Sequence, residues 1–510
     1  MISGREIEKI FQKNGERVFF INADTRTSWT YQRFHDLVTK MAKGLTSQGL
    51  RRGERFAVLL PNSPELAALY FASILLGTII MPVNPRLHSH EIESIVEFSK
   101  PKLLLYTPAT QSFLTLRALA SVPKHLALEY CASEDLAIDM DQLYQQIKPC
   151  DVFLITFTSG TTGLPKGVAH KISSIFENAR LFNERMNFIP SDCFLHVMPM
   201  SYMAGILNTL ICPFLAQGTI VSIPPFDART VLSFWNPVIQ YQVNAMWLAP
   251  TMLAALLKMD RDSHALEYCR AHLKAISVGT APLPTALKND FEKKYSTTLY
   301  ESYGLSELLF ITTNAPGIPQ VKDSVGRLLP AIDIRMTDEE GKFLPSSSDG
   351  EIWIKTPHVM AGYVHAETSE VVPVSETAWF PTGDIGHLDS EGNLSITGRK
   401  KDLIIKGGIN VSPRAIEEVL LRHPAVVEAA VVGLRHDFYG EEIVAVLVME
   451  KKNTLEEHRV SLITLCKENL NSAALPMRYI EMDELPLNAS GKIQKKTLVE
   501  QITSKSGRPL

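Results

Sequence analysis

A run of small and hydroxylated residues between two apolar segments is the first part of the sequence that could do chemistry. It reads TFTSGTTGLPKGV from Thr156 to Val168 and overlaps FLITF (Phe153–Phe157), which has the composition of a buried strand. Glycine, serine and threonine expose backbone N–H groups and tolerate unusual backbone angles. With Lys166, such a turn is suited to binding a polyanion such as phosphate. An ordinary surface loop is the alternative.

This loop does not fit the P-loop, which is the obvious phosphate-binding motif to test. That motif requires G-x-x-x-x-G-K followed by Ser or Thr, whose hydroxyl binds magnesium. Counting from Gly160, the sixth position is Pro165, and Lys166 is followed by Gly167. Both requirements fail, so the loop is not a P-loop.

Further polar clusters lie at the predicted ends of strands, where open α/β sheets bind ligands. Each cluster alone is equally explained as a turn, a surface acid or a basic helix. Their order along the chain, together with TSGTTGLPKG, favours a function. The clusters are GTAP (Gly279–Pro282), YGLSE (Tyr303–Glu307), TGD (Thr382–Asp384), GRKKDLIIKGGINVSP (Gly398–Pro413) and PLNASGKIQKKTL (Pro486–Leu498).

The elements that must position these clusters are predicted to be parallel strands and helices. Short apolar strands such as FAVLLP (Phe56–Pro61) alternate with amphipathic helices, which predicts an α/β fold with doubly wound sheets. From about Val325, short strands and turns such as GEIWIK indicate a β-rich subdomain. We therefore expect an N-terminal domain of residues 1–399, with its β-rich part at about 325–399, and a small α+β domain of residues 400–510.

Composition and charge limit the classes of function. The 510 residues are too many for one core, and 45% hydrophobic with 21% charged residues is typical of a soluble globular protein. A net charge of -4 gives no general attraction to nucleic acid. Six scattered cysteines without metal-ligand spacing indicate buried thiols of a reducing compartment. The start, MISGREIEKIF, has charges where a signal peptide needs an apolar run, so we expect a cytoplasmic protein.

One uncharged segment is long enough to span a bilayer, from Cys193 to Phe226. Residues such as Pro199, Gly205 and Pro213 interrupt it. The sequence therefore favours a loop, a buried helix from about Met203 to Ala216 and a strand TIVSIP, and we expect no transmembrane segment.

The ordered clusters resemble those of the adenylate-forming superfamily: acyl-CoA synthetases, aryl-CoA ligases, luciferases and adenylation domains of peptide synthetases. The resemblance runs from LLPNSPE (Leu59–Glu65) to GKIQKK (Gly491–Lys496) and is strongest to acyl-CoA ligases. It implies a large N-terminal domain and a mobile C-terminal lid. It also implies a two-step reaction, in which a carboxylate attacks the α-phosphate of ATP with release of pyrophosphate, and the thiol of coenzyme A then takes the acyl group from the acyl-AMP.

The resemblance implies a site for ATP and Mg²⁺. Glu307 would bind magnesium, assisted by Thr161 or Thr162. Asp384 would accept hydrogen bonds from the ribose hydroxyls, and Arg399 would lie near the ribose and α-phosphate. Glu307 and Thr162 are expected to act in catalysis. The expected nucleotide site comprises Thr158, Ser159, Gly160, Thr161, Thr162, Gly163 and Lys166 around the phosphates, Gly279, Thr280, Ala281, Pro282, Tyr303, Gly304 and Ser306 near the base, and Asp384 and Arg399.

The resemblance also assigns roles in the C-terminal lid. Lys492 would bridge the attacking carboxylate and the α-phosphate and stabilise the anionic transition state; a solvated surface lysine is the alternative. Lys401 would be the hinge. Gly407, Gly408 and Asn410 would form the loop that approaches the nucleotide and the pantetheine thiol.

The acyl pocket is expected between Met200–Leu207, Trp247–Met252, Ser277–Gly279 and Gly304–Leu308. These segments are apolar and contain no clear partner for an α-amino group, which favours a fatty or aryl acid over an amino acid. Many relatives carry histidine where Tyr202 stands, so the acyl gate departs from the family pattern. The expected substrate-binding residues are Tyr202, Met203, Gly205, Trp247 and Ser277.

Three functions remain open from the sequence: an acyl-CoA ligase, a ligase that loads the thiol of an acyl carrier protein, and a non-catalytic nucleotide-binding paralogue. The acceptor distinguishes the first two. The retained Lys166, Glu307, Asp384, Arg399 and Lys492 argue against the third. A luciferase-type side activity would share the first half-reaction.

Overall fold

The computed structural model describes residues 2–131, 136–158, 165–227, 229–365, 367–450, 452–487 and 493–506. The helices are α1 (Gly4–Lys13), α2 (Tyr31–Ser47), α3 (Pro64–Leu76), α4 (Ser89–Ser99), α5 (Arg117–Ala120), α6 (Met140–Gln146), α7 (Ile172–Met186), α8 (Cys212–Leu215), α9 (Trp235–Gln240), α10 (Pro250–Met259), α11 (Ser263–His272), α12 (Thr285–Tyr295), α13 (Pro413–Leu420), α14 (Leu455–Asn469) and α15 (Lys495–Ser506).

The strands are β1 (Val18–Asn22), β2 (Thr27–Thr30), β3 (Arg55–Leu59), β4 (Ile79–Pro82), β5 (Leu103–Tyr106), β6 (His125–Ala127), β7 (Val152–Thr158), β8 (Lys166–Lys171), β9 (Cys193–His196), β10 (Thr219–Ser222), β11 (Ala245–Leu248), β12 (Ala275–Val278), β13 (Leu299–Leu305), β14 (Leu309–Thr313), β15 (Arg327–Leu328), β16 (Asp333–Thr337), β17 (Phe343–Leu344), β18 (Gly350–Lys355), β19 (Gly362–Val364), β20 (Val371–Pro373), β21 (Phe380–Leu388), β22 (Leu394–Arg399), β23 (Ile404–Lys406), β24 (Ile409–Val411), β25 (Val426–His436), β26 (Gly440–Met449) and β27 (Arg478–Glu481).

Two large sheets with parallel centres form the N-terminal part. One has the order β15-β14-β13-β12-β11-β9-β10-β1-β2, and the other the order β20-β19-β8-β7-β4-β3-β5-β6. Strands β9 to β13 pair in parallel, whereas β14 returns antiparallel to β13. In the second sheet β8 returns antiparallel to β7. The return from β13 to β14 brings a turn to the end of a parallel strand, where a ligand site is expected.

The two large sheets share one hydrophobic core. Phe56 and Val58 of β3 belong to the same core as Ile220 of β10, while Ala57 and Leu59 face a separate core on the other side. This alternation follows from the two-residue period of a strand, and it buries both faces, as parallel sheets require. The strands are therefore held rigidly enough to fix the positions of the turns that follow them.

Local sequence signals explain where the connecting helices begin and end. Helix α3 begins after Ser63, whose hydroxyl accepts a hydrogen bond from the Leu66 amide at 3.1 Å, and has Pro64 in its first turn. It ends at Gly77, which adopts the left-handed conformation with φ of 65°. Its nearly uniform burial lets it lie within the shared core.

The rest of the chain forms two smaller sheets. Strands β17-β16-β18-β21-β22 form an antiparallel sheet, and β24-β23-β26-β25 form another, with β27 beside β26. The short 3₁₀ turn Lys400–Asp402 connects β22 of one sheet with β23 of the other.

The long uncharged segment differs from the expected helix in type. Residues Ala204–Ile211 form a π-helix, followed by α8, and the strand is β10. Gly205 in its first turn packs against the chain before it, because a Cβ there would lie 2.0 Å from the Pro199 carbonyl oxygen. Among the described residues, no helix combines the length and apolarity needed to cross a bilayer.

The cysteines only partly follow the expectation of buried thiols. Cys131, Cys212, Cys269 and Cys466 are buried, whereas Cys193 is half-buried and Cys150 is exposed. The prediction is therefore wrong for Cys150, which lies in the connection before β7 and outside any core.

Candidate active site

The turn between β13 and β14 holds the first group of polar side chains. Glu307 lies in this turn, and its Oε1 accepts a hydrogen bond of 2.9 Å from the Tyr363 hydroxyl on β19. The Lys166 ammonium at the start of β8 lies 5.6 Å from the centre of the Tyr363 ring. Burial and the Glu307 carboxylate raise the pKa of Tyr363, so its hydroxyl stays protonated and donates. The structure thus links Lys166 to Glu307 through one tyrosine.

The backbone around Glu307 is tightly constrained. A Cβ at Gly304 would lie 2.2 Å from the Leu309 carbonyl oxygen, so only glycine allows this close turn. The Met360 amide donates to the Glu307 carbonyl oxygen at 2.8 Å, which ties the turn to the segment before β19. Ser306 lies in the same turn and is half-buried.

A second group forms around a buried carboxylate. Asp384 on β21 is 2% exposed. Its Oδ1 accepts a hydrogen bond of 2.6 Å from Arg399 Nε, and its Oδ2 accepts one of 2.7 Å from the Tyr303 hydroxyl. Asp384 and Arg399 are directly opposite each other in the antiparallel pair of β21 and β22. The sequence-predicted Tyr303, Asp384 and Arg399 are therefore in mutual contact.

The electrostatics of this second group follow from burial and proximity. Burial, reinforced by the Asp384 charge, raises the pKa of Tyr303 well above its ordinary value. Burial alone would lower the pKa of Arg399, but the Asp384 carboxylate outweighs it and the Arg399 pKa is raised. The group consequently carries one buried anion, one cation and one neutral hydroxyl donor at neutral pH.

The GTAP segment follows β12, beside the second group. Gly279 is buried, and a Cβ there would lie 2.7 Å from Trp247 Cζ2 and 3.1 Å from the Ser302 carbonyl oxygen. Thr280 has φ of 73°, an unusual conformation for a β-branched residue. Ala281 is half-buried and Pro282 is exposed. Trp247 and the Ser302 backbone therefore pack directly against the end of β12, where only glycine fits.

Several residues of the expected acyl pocket lie in or beside the shared core. The Tyr202 hydroxyl accepts a hydrogen bond of 3.1 Å from Asn84 Nδ2, and burial raises the pKa of Tyr202 despite this bond. Met203 packs against the shared core, and Gly205 lies against the backbone of Pro199. Tyr202 is thus anchored to the segment after β4.

Trp247 and Ser277 line a small void between β9, β11, β12 and the π-helix. Its volume is about 10 Å³. Three phenylalanines and two polar side chains contribute to the wall with them: Phe182, Phe188, Phe194, Asn208 and Thr209. Among the described residues that line this void, none carries an acidic group.

The predicted lid loop lies elsewhere. Gly407, Gly408 and Asn410 are exposed, and the Asn410 side chain donates to Glu339 in the turn between β16 and β17. Gly407 and Gly408 adopt φ of 60° and 80°, which glycine tolerates. Lys401 is exposed in the 3₁₀ turn between the two small sheets. The structure does not bring this loop to the two polar groups.

Several predicted residues lie outside the described residues: Ser159, Gly160, Thr161, Thr162, Gly163 and Lys492. Thr158 ends β7 and pairs with Lys166 in the antiparallel register, so the loop between them spans from one strand to the next. Within the described part of the chain, no three His, Cys, Asp or Glu side chains form a metal-binding group. A cation at Glu307 would therefore need ligands from a bound phosphate as well.

The structure adds residues that the sequence interpretation did not identify. Tyr363 and Asn84 are the partners of Glu307 and Tyr202, at separations of 56 and 118 residues. Tyr363 lies in the short segment AGYV (Ala361–Val364), where nothing marks the tyrosine hydroxyl. Such long-range contacts have no local sequence signal.

Comparison with known proteins defines the class. The family model of AMP-binding enzymes matches residues 7–364, and the model of the AMP-binding enzyme C-terminal domain matches residues 415–492. The chain belongs to the AMP-binding enzyme family, which confirms the resemblance to adenylate-forming enzymes.

Individual relatives extend the comparison over nearly the full chain. The chain is 29% identical over 496 residues to a long-chain-fatty-acid–CoA ligase of Mycobacterium tuberculosis, with 95% of each chain covered. It is 31% identical over 489 residues to a 2-succinylbenzoate–CoA ligase of Bacillus pumilus, again with 95% of each covered. The crystal structure of ATP-bound MatB from Rhodopseudomonas palustris is similar with a TM-score of 0.85, at 26% identity, over 99% of this chain and 100% of that one. The predicted α/β fold class, with a smaller C-terminal domain, is confirmed.

Proposed function

We propose that this protein is an ATP-dependent acyl-CoA ligase. It activates a fatty or aryl carboxylic acid as acyl-AMP, releases pyrophosphate and transfers the acyl group to coenzyme A. The main support for this proposal is that β13 and the turn after it contribute one residue to each of the two polar groups. Tyr303 contacts the Asp384–Arg399 pair, and Glu307, four residues later, contacts Tyr363 beside Lys166.

The first group is suited to a ribose. Each Asp384 oxygen accepts one hydrogen bond from the protein and retains a lone pair, so the two oxygens together can accept bonds from two neighbouring hydroxyls. Arg399 neutralises the buried carboxylate and, with its side chain 42% exposed, still presents guanidinium N–H groups to a phosphate. Tyr303 is held in place by its hydroxyl, which fixes the ring at the edge of the proposed base site.

The second group is suited to the polyphosphate. Lys166 supplies a cation, and the backbone and hydroxyls of Thr158–Lys166 are proposed to bind the β- and γ-phosphates. Glu307 supplies the hard oxygen ligand that Mg²⁺ prefers, with Thr161 or Thr162 assisting. Magnesium bound to ATP would neutralise phosphate charge during attack by the carboxylate. Tyr363 keeps the Glu307 carboxylate oriented by donating one hydrogen bond.

The acid is proposed to carry no charge beyond its carboxylate. The walls near Trp247 and Ser277 are aromatic or uncharged, and an unpaired ammonium there would be costly to desolvate. Amino acid activation is therefore disfavoured. The name of one relative, a long-chain-fatty-acid–CoA ligase, supports an acid without a second charge, whereas 2-succinylbenzoate, named for the other, carries two carboxylates.

The C-terminal domain is proposed to rotate about Lys401 between the two steps. Lys492 would serve adenylation, and Gly407–Gly408 would serve thiol attack. The exposed position of Gly407 and Gly408 supports this division, because in this orientation the loop is occupied with Glu339 through Asn410. Reaching the acyl-AMP would require another orientation.

The test measures pyrophosphate, AMP and thioester formation across a panel of carboxylic acids with ATP and magnesium. An acyl-CoA ligase forms AMP and thioester with coenzyme A, whereas a carrier-loading ligase needs a phosphopantetheinylated carrier protein. Thioester formation with coenzyme A alone is the expected result. Failure to release pyrophosphate with any fatty or aryl acid would refute the proposal and favour the non-catalytic alternative.

A further inference from the structure

Helix α7 contacts both the strand that begins at Lys166 and the strand that follows Glu307. It comes directly after β8 in the chain. Ser174, Asn178 and Phe182 are buried and follow one another at four-residue intervals, so they share one face of the helix. This face meets both β14 and the segment that binds the Glu307 backbone.

Asn178 holds the backbone of Phe310, three residues after Glu307. Its side chain is fully buried. Nδ2 donates to the Phe310 carbonyl oxygen at 2.9 Å, and Oδ1 accepts from the Phe310 amide at 3.0 Å. A neighbouring strand makes the same two bonds to a residue of an antiparallel pair. Strand β15 pairs with later residues of β14, so Asn178 takes the place of a partner strand at Phe310. The Phe182 ring stacks on the Phe310 ring with centroids 3.9 Å apart, which holds the side chain as well.

The same face of α7 also contacts the segment before β19. Ser174 Oγ donates to the Val359 carbonyl oxygen at 3.4 Å. The next residue, Met360, donates its amide to the Glu307 carbonyl oxygen at 2.8 Å. The segment then continues into β19, which carries Tyr363. Helix α7 is therefore in contact with both chain segments that fix Glu307 and its hydrogen-bond partner.

The turn after β13 needs this support because its backbone is strained. Leu309, next to Phe310, has φ of 61°, a left-handed conformation that is uncommon for a residue with a side chain. The Leu309 carbonyl oxygen also lies so close to Gly304 that a Cβ there would be 2.2 Å away. Conformations of this kind persist where neighbouring contacts hold them. Without the two bonds from Asn178, we expect the turn to relax and the Glu307 carboxylate to move.

We propose that Asn178 is a positioning residue for magnesium binding. Its hold on Phe310 sets the position of the Glu307 carboxylate, and α7 thereby keeps Glu307 in register with Tyr363 and Lys166. Asn178 acts through Glu307, because its own carboxamide is buried and bonded to Phe310 at both ends. The inference rests on the proposed function, in which Glu307 binds magnesium together with ATP.

The test measures ATP binding by calorimetric titration, with magnesium and with the metal removed by a chelator, in the wild type and in Asn178→Ala. We expect Asn178→Ala to raise the magnesium concentration for half-maximal ATP binding by on the order of 10-fold, the scale for losing a residue that orients a metal ligand. ATP affinity without magnesium should be unchanged. In a Glu307→Gln background, Asn178→Ala should have no further effect on the magnesium dependence, because the ligand that it positions has already been changed.

The matched control is Asn183→Ala. Asn183 lies on the same helix, is 7% exposed and donates from Nδ2 to the Cys212 carbonyl oxygen at 2.8 Å, in α8 rather than in β14. Both variants should unfold at a lower urea concentration than the wild type, because each loses a buried hydrogen bond. Asn183→Ala should nevertheless leave the magnesium dependence of ATP binding unchanged. Asn178→Asp is a milder second variant, for use if Asn178→Ala does not fold. At pH 9 its carboxylate still accepts from the Phe310 amide but repels the Phe310 carbonyl oxygen, so the magnesium requirement should again rise relative to the wild type at that pH.

Three outcomes would each overturn the inference. They are an equal shift in Asn178→Ala and Asn183→Ala, an equal loss of ATP affinity with and without magnesium, and an unchanged magnesium dependence in the Asn178 variants. A wild type that binds ATP with magnesium but releases no pyrophosphate with any acid refutes the ligase assignment alone. A wild type that binds no ATP overturns both.

Discussion

Replacing Asp384 by asparagine removes one negative charge without changing the shape of the side chain. In the wild type both carboxylate oxygens accept hydrogen bonds, from Arg399 Nε at 2.6 Å and from the Tyr303 hydroxyl at 2.7 Å. An asparagine has only one acceptor atom. The geometry therefore forces the amide oxygen towards Arg399, which only donates, and the amide NH₂ towards the Tyr303 oxygen, which can accept. Both contacts survive, but the ionic character of the first is lost.

The size of the effect follows from this rearrangement. A hydrogen bond to a charged group contributes about 1.5–3 kcal/mol, compared with about 1 kcal/mol for a neutral one. The Arg399 side chain is 42% exposed, so water replaces part of the lost interaction. We expect a loss of about 1–2 kcal/mol in the free energy of unfolding. Weaker acceptance from the ribose hydroxyls should cost a similar amount in ATP binding, which is on the order of 10-fold in kcat/KM for ATP.

The assay combines urea unfolding with pyrophosphate release at varied ATP. Asp349→Asn is the matched control, because Asp349 also accepts two hydrogen bonds, from His387 and Thr397, but its side chain is 55% exposed in the same sheet. This control should change stability by less than about 0.5 kcal/mol and leave the KM for ATP unaltered. If Asp384→Asn behaves like Asp349→Asn in both measurements, Asp384 neither stabilises the sheet nor binds the nucleotide, and the reasoning is wrong.

Three further predictions concern other parts of the molecule. Tyr363→Phe removes the donor to Glu307, so the magnesium concentration for half-maximal pyrophosphate release should rise about 10-fold; an unchanged magnesium titration contradicts the role of Tyr363. Lys492→Ala should slow acyl-AMP formation by on the order of 100-fold and spare thioester formation from supplied acyl-AMP. Lys401→Pro should keep acyl-AMP formation and lose thioester formation. Equal loss of both steps in both variants contradicts the rotating domain. Burial lowers the pKa of His170 to about 3. Between pH 6.5 and 3 the unfolded chain therefore binds a proton that the folded chain does not. The free energy of unfolding then falls as pH falls, by up to about 1.4 kcal/mol per pH unit. His170→Leu should accordingly lose less Tm than the wild type between pH 7 and 5, and parallel losses would show that His170 does not titrate in this way.

Local elements of the fold were predictable where one physical signal dominates. The apolar run Phe153–Phe157 is a strand because its residues fit a sheet buried on both faces, and β7 extends it by one residue at each end. Helix α14 of the C-terminal domain begins at Leu455. There Thr454 and Glu457 form a capping box, a helix-start signal that is local to the sequence.

Tertiary contacts explain what the sequence could not predict. The segment after Met203 is mostly apolar, so its hydrophobic pattern does not distinguish an α-helix from the π-helix that the structure shows. The Tyr363–Glu307 and Asn84–Tyr202 contacts likewise depend on how separate strands meet in space. Motif order indicates which residues serve the chemistry, but their supporting partners require the fold.

Two hydrogen bonds between the C-terminal domain and the rest of the described chain are individually weak, which bears on the proposed rotation. Ser412 donates to the Thr397 carbonyl oxygen at 2.6 Å, and Asn410 donates to Glu339 at the surface. Exposed or half-exposed interactions of this kind contribute about 1 kcal/mol or less each. Binding a nucleotide with a micromolar dissociation constant releases about 8 kcal/mol. Breaking both of these hydrogen bonds costs less than that. A substrate that binds one orientation of this domain more tightly than the other shifts the domain towards that orientation. Substrate binding can therefore select between two orientations without rearranging the hydrophobic core of either domain.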